Sequence, residues 1–162
     1  MPYLLDSNTF IQAKNQYYAF DVCPAYWDWL LQANQSKLVF SVSKVKEELV
    51  GGSDALAQWA QQQSADFFLP PDPATLAALA QVSAWVTSRN YDQAAITEFL
   101  QRADFFLVGQ ALAGNFTVVT HEVQANTTKK VKIPNVCAGL NVKCINTFAM
   151  LSLEKARFVL GS

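Results

Sequence analysis

The feature that most constrains this chain is a set of short apolar runs that each break off abruptly into polar residues. Tyr3-Leu4-Leu5 gives way to Asp6-Ser7-Asn8-Thr9, Leu38-Val39-Phe40 to Ser41, and Phe116-Thr117-Val118-Val119 to Thr120-His121-Glu122. Runs this short and this apolar predict buried strands, and the polar groups behind them are suited to turning the chain and capping a helix. Ser41 or Ser43 is the expected cap of a helix running through Val50, which Gly51-Gly52 then stops. A weaker run, Val142-Lys143-Cys144-Ile145, predicts a last strand before a helix from Thr147.

Between these runs the sequence predicts helices. Pro24 falls in the first turn of one that carries Tyr26, Trp27, Trp29, Leu30 and Leu31 to Ala33, before Gln32 to Ser36 turns the chain. Ser53-Asp54 caps another with Leu56 and Trp59, and the Pro70-Pro71-Asp72-Pro73 breaker starts a helix through Ser88. Asp92 caps a helix around Ile96 to Leu100, and a further helix from Arg102 to Ala113 ends at Gly114-Asn115. Gln124 to Lys132 reads as a polar loop and Pro134 to Gly139 as a helical turn.

Short strands alternating with longer helices predict an α/β fold of three layers, with a mostly parallel central sheet covered by helices on both faces. Residues 1–162 form a single expected domain, without repeat or linker. In open parallel sheets ligands collect beyond the carboxyl ends of the strands, so Asp6, Ser41 and the Thr120 group should share one edge.

Composition narrows the partners. A net charge of −1 excludes a protein that holds nucleic acid mainly by a global positive field, so any phosphate contact must be local. Charged residues make up 15 %, below the roughly 25 % usual for soluble domains, and some of the 51 % apolar residues are expected to face a partner. Cys23, Cys137 and Cys144 have no framework-like spacing and read as reduced thiols of a cytoplasmic protein. The start of the chain lacks a signal-peptide pattern, and no apolar stretch is long enough to span a bilayer.

Among the acids, Asp6 closes the first strand, with helix capping as its structural alternative. Val42, Val45 and Leu49 define the buried face of the helix through Val50, with Glu48 on its border, able to reach a cleft, and Glu47 in solvent. Asp104 is the sharpest anomaly. Leu107, Val108 and Ala111 place it on an apolar helical face, unless it is the helix N-cap. Glu122 lies two positions past Thr120, where a plain loop acid is the alternative. Gathered at one edge, Asp6, Glu48, Asp104 and Glu122 would repel one another without a cation, and all-oxygen ligation favours Mg²⁺ or Mn²⁺ over zinc.

These pieces resemble the PIN-domain family, and more narrowly PIN-like proteins related to the VapC-type toxins of bacterial toxin–antitoxin pairs. The likeness covers most of the chain. It rests on Tyr3-Leu4-Leu5-Asp6-Ser7-Asn8, Val45-Lys46-Glu47-Glu48-Leu49, Ala103-Asp104-Phe105-Phe106-Leu107 and Val118-Val119-Thr120-His121-Glu122, taken in that order. The resemblance implies that Asp6, Glu48, Asp104 and Glu122 are the catalytic, metal-holding acids of a ribonuclease that uses metal-activated water and no protein nucleophile. The family's fourth acid is more often aspartate, and His121 also departs from the commoner pattern. Ser7, Asn8 and Thr120 would orient carboxylates or metal-bound waters. The implied partners are an RNA substrate and an antitoxin protein covering the acidic edge, with a homodimer as a further assembly.

Lys44, Lys46, Arg102, Lys129 and Lys130 are the expected RNA contacts, with a solvated charged loop as the alternative for the lysine run that Lys132 completes. His121 is expected to be a solvated loop residue rather than a general acid or base, and with Cys137 and Cys144 it lacks the paired Cys-x-x-Cys of a zinc site. Asp6-Ser7-Asn8-Thr9 is not the glycine-rich turn of a dinucleotide or P-loop enzyme. The Trp27, Trp29, Trp59 and Trp85 rings fit helical core positions. The competing reading from another class is a non-catalytic PIN-like interaction module that uses surplus apolar surface.

Overall fold

The computed structural model describes residues 2–161. Strands β1 (Tyr3–Leu5), β2 (Val39–Val42), β3 (Phe68–Leu69), β4 (Thr117–Val119) and β5 (Cys144–Ile145) form one five-stranded sheet in the order β3-β2-β1-β4-β5. All four pairings are parallel, with Leu4 level with Phe40 and Val118, and Val119 level with Ile145.

The helices fill the crossovers. After β1 come α1 (Ser7–Gln12), a π-helical turn (Ala13–Tyr17) and α2 (Pro24–Gln35); after β2 come α3 (Ser43–Val50) and α4 (Ala55–Gln61). After β3 come α5 (Pro73–Ser88), α6 (Gln93–Gln101) and α7 (Ala103–Gly114), then α8 (Ile133–Leu140) after β4 and α9 (Thr147–Leu153) after β5. Because parallel crossovers are right-handed, connections running toward β3 and those running toward β5 lie on opposite faces. This is the three-layer α/β arrangement expected from the alternating runs.

The strands are buried on both faces: Leu4, Leu5, Val39, Val42, Val118 and Val119 are all fully inaccessible. On one face, α7 packs on β1, β2 and β4 and also against α5, burying Leu107 and Val108. On the other, Phe10 of α1 sits among the Trp59, Phe67 and Phe68 rings, with centroids 5.7, 6.2 and 6.0 Å away. Trp27 and Trp59 are buried core rings, while Trp29 and Trp85 are half-buried against the core.

Several boundaries differ from expectation for local reasons. β2 runs on through Ser41 and Val42, so neither Ser41 nor Ser43 caps α3; Val42 occupies the cap position without a side-chain bond. The Ser41 hydroxyl instead donates to the Leu5 carbonyl at 2.6 Å, tying β2 to β1. Phe68-Leu69 is an edge strand too short to show a period in the sequence. α2 continues to Gln35, after which Lys37 turns the chain in the left-handed region at φ 61°. Asp92 does hold the N-cap position of α6, which begins at Gln93 rather than near Ile96. Among the described residues no helix is long and apolar enough to cross a membrane.

The sheet order reverses direction at β1, which lies between β2 and β4. A crevice opens at such a switch point beyond the strand ends. Asp6 follows β1 there and Thr120 follows β4; the Asp6 N–H bonds the Val119 carbonyl at 2.9 Å, and the Thr120 N–H bonds Ile145 at 2.9 Å.

Candidate functional site

Asp6 is both N-cap of α1 and the most buried acid of the edge, 2 % exposed. Its Oδ1 accepts the Ser7 N–H at 2.7 Å and lies 3.4 Å from the Ser7 hydroxyl. The Thr120 hydroxyl donates to Oδ2 at 2.8 Å. With its one proton so committed, Thr120 Oγ1 accepts from Asn8 Nδ2 at 3.2 Å and from the Glu122 N–H at 3.1 Å. Asn8 Oδ1 in turn accepts the His121 N–H at 3.1 Å. Ser7, Asn8 and Thr120 therefore form a scaffold around Asp6, and the helix cap, the alternative role for these three, is Asp6 itself.

Burial, followed by the negative charge of Asp104, pushes the Asp6 carboxyl up to about 8; the Thr120 bond works in the other direction. Asp104 is the second residue of α7 and is 8 % exposed. It is not the cap, since Arg102 holds that position. No hydrogen bond or ion pair from the described residues reaches its side chain. Burial and then the charge of Glu122 raise it to about 6, against the attraction of Arg102.

The outer two acids are tied to helix starts. Glu48 is exposed, as a border residue of α3, and its Oε1 accepts the Ala103 N–H of α7 at 3.2 Å. Glu122 Oε1 accepts the Ile133 N–H of α8 at 3.2 Å. Both contacts satisfy a helix N–H that has no partner within its own helix and place negative charge at the positive end of the helix. Glu47 lies in solvent, paired with Lys44 at 3.4 Å.

The structure thus brings Asp6, Asp104 and Glu122 within electrostatic reach of one another, with Glu48 reaching Asp104. They do not form a closed cage: among the described residues, no three His, Cys, Asp or Glu side chains converge tightly enough to enclose an ion. Mg²⁺ needs no such cage, since it keeps several waters and is commonly held by one or two carboxylates together with substrate phosphate. The two inner carboxylates are buried oxygen donors of the type that a hard divalent cation takes.

The expected basic contacts divide. Arg102 and Lys130 flank Asp104 and line a small cleft with Glu98 and Phe99, although Arg102 also bonds Glu98 at 3.0 Å. Lys129 is exposed, 4.0 Å from Asp92. Lys44 lies over the Phe106 ring, 5.1 Å from its centroid. Lys46 is turned onto the Gln63 carbonyl at 2.6 Å, which takes its charge away from the edge.

His121 is not the solvated loop residue that the sequence suggested. It is half-buried, its Nε2 lies 3.2 Å from the Thr147 hydroxyl, and its ring packs near Tyr17 and Phe148. Burial lowers its pKa. The three cysteines are free thiols, and Cys137 is pushed up by the hydrogen bond it shares with Cys144 and by burial.

A family model described as a domain of unknown function, DUF4411, matches residues 3–158. The chain belongs to the DUF4411 family. No curated protein and no solved structure gives a significant match. The DUF4411 match begins at the first residue of β1 and includes Asp6, Glu48, Asp104 and Glu122.

Proposed function

We propose that this DUF4411 protein is a Mg²⁺- or Mn²⁺-dependent endoribonuclease of the PIN-like kind, serving as the toxin of a bacterial toxin–antitoxin pair. The observation that carries the reading is the Asp104 carboxylate, nearly buried and without a hydrogen-bond or ion-pair partner among the described residues, beside the buried Asp6. A nearly buried carboxylate without a hydrogen bond, set beside a second buried acid, is costly for folding alone and is readily explained by a cation.

In this reading Asp6 and Asp104 hold the ion, Glu122 and Glu48 add negative charge around it, and Thr120 fixes the orientation of Asp6. A divalent ion bound there would supply a more acidic water and polarise the phosphoryl oxygens. Arg102 and Lys130 are placed to receive a backbone phosphate beside Asp104, a local contact that suits a chain of net charge −1. The toxin setting rests on the resemblance of the acidic motifs. An antitoxin would cover the same edge, presenting an arginine or lysine where the metal charge would be.

The test is cleavage of a mixed RNA pool titrated with Mg²⁺ and Mn²⁺, for the unaltered protein and Asp104→Asn. Metal-dependent cleavage that the substitution abolishes supports the reading. Equal activity in both proteins contradicts the site, and no cleavage and no metal response in either favours a non-catalytic interaction module.

A further inference from the structure

Tyr17 and Phe148 are the only exposed aromatic side chains among the described residues, at 44 % and 42 %, and the fold brings them together. Their ring centroids are 4.9 Å apart in an edge-to-face pair, and the His121 ring lies 5.7 Å from Tyr17 and 5.6 Å from Phe148. Tyr17 ends the π-helical turn after α1, closed by the Tyr18 N–H to Ala13 carbonyl bond at 2.7 Å. Such turns are uncommon and recur at functional sites. Phe148 stands in the first turn of α9.

His121 joins this cluster to the acidic edge. Its N–H bonds Asn8, and Asn8 bonds Thr120, which holds Asp6. On its other side His121 lines a cleft of about 380 Å³ beyond the ends of β4 and β5, together with Glu122, Cys144 and Asn146. Among the described residues, neither His121 Nδ1 nor Asn146 Nδ2 has a hydrogen-bond partner. No lysine or arginine lines this cleft, whereas Arg102 and Lys130 line the one beside Asp104. One flank of the acidic group therefore suits phosphate, and the other suits a flat neutral ring with polar edges.

We propose that the Tyr17–His121–Phe148 cluster and the cleft beside it bind an unpaired nucleobase of a single-stranded RNA, adjacent to the phosphate held at the acidic edge. This rests on the ribonuclease reading and adds a positioning site to it. The rings supply a stacking surface for any base, and His121 Nδ1 and Asn146 Nδ2 supply contacts to a base edge. Single-stranded RNA is thereby favoured over duplex, whose bases stay stacked.

The test uses a fluorescein-labelled, mixed-sequence single-stranded RNA heptamer in EDTA, so that binding is read apart from metal-dependent cleavage. The double variant Tyr17→Leu, Phe148→Leu is expected to bind about tenfold more weakly by anisotropy, and Tyr17→Phe, which keeps the ring, to bind like the parent. On the unaltered protein, a 4-thiouridine version of the heptamer is expected to crosslink at Tyr17, His121 or Phe148. Unchanged affinity of the double variant, or crosslinks only elsewhere, overturns the inference while leaving metal-dependent cleavage intact. Unchanged RNA affinity with lost binding of a protein partner also overturns it, assigning the patch to that partner. A parent that neither binds nor cleaves RNA removes both readings.

Discussion

Replacing Asp104 by asparagine keeps the shape of the side chain and deletes a charge that the fold accommodates poorly. The carboxyl is raised from 3.8 to about 6, mainly by burial and next by Glu122. A displacement of that size corresponds to about 3 kcal/mol between the folded and unfolded states. The group is protonated more readily in the folded state, so its stabilising contribution is complete below pH 3.8 and disappears as pH rises through about 6. At pH 8 the metal-free parent carries the full cost of the ionised group, and the Asn variant does not. The variant is expected to be more stable than the parent by about 1–3 kcal/mol at pH 8, a rise of several degrees in Tm for a chain of this size, and the two should converge near pH 4. Thermal denaturation in EDTA at a series of pH values measures this directly. Added Mg²⁺ should reverse the order at pH 8, since an ion held at 1,000 times its Kd adds about 4.1 kcal/mol to the parent alone. A metal-free variant less stable than the parent at pH 8 would mean that Asp104 is compensated by something other than a cation, and would rule out a metal-dependent role for its charge.

Asp6 extends the same logic to higher pH: raised from 3.8 to about 8, it should make the metal-free parent lose stability steadily between those values, so the Tm gain from Mg²⁺ should be larger at pH 8 than at pH 5. Thr120→Val removes the hydroxyl that donates to Asp6 while keeping the shape, and it is expected to raise the metal concentration needed for half-maximal cleavage by roughly 10- to 100-fold, read from Mn²⁺ titrations of activity. Gly139→Ala would press a Cβ into the Trp85 ring, wedging α8 from α5; a drop in Tm with a shift in tryptophan emission is expected, and unchanged values for both would show that the ring yields freely.

Much of the fold was legible because its punctuation is strong. The Pro70-Pro71-Asp72-Pro73 breaker places the start of α5 at Pro73, where Asp72 caps it, and the αL residue Asn115 ends α7 just past Gly114, as the Gly-Asn pair indicates. β1 and β4 were legible from abrupt polarity changes, and with them the positions of Asp6 and Thr120. α3 shows the opposite case: a hydroxyl residue signalled a cap at Ser41 or Ser43, but pairing with Phe68 of β3 and the hydroxyl bond to Leu5 keep Ser41 in the strand.

The site divides in the same way. Asp104 announced itself by sitting on an apolar face, a pattern visible in one helix. The helix-start bonds of Glu48 and Glu122 were not legible, because Ala103 and Ile133 reach them only through tertiary packing. Nor was the His121 cluster, whose members Tyr17 and Phe148 come from opposite ends of the chain and depend on a π-helical turn without a sequence signature.

The most direct test of the acidic edge as a metal site is Mn²⁺ titration followed by electron paramagnetic resonance, which reports bound and free ion without any RNA. Saturable binding by the unaltered protein is expected, lost in both Asp6→Asn and Asp104→Asn while both variants remain folded. Absence of Mn²⁺ binding by the parent, or binding that survives both substitutions unchanged, would contradict it.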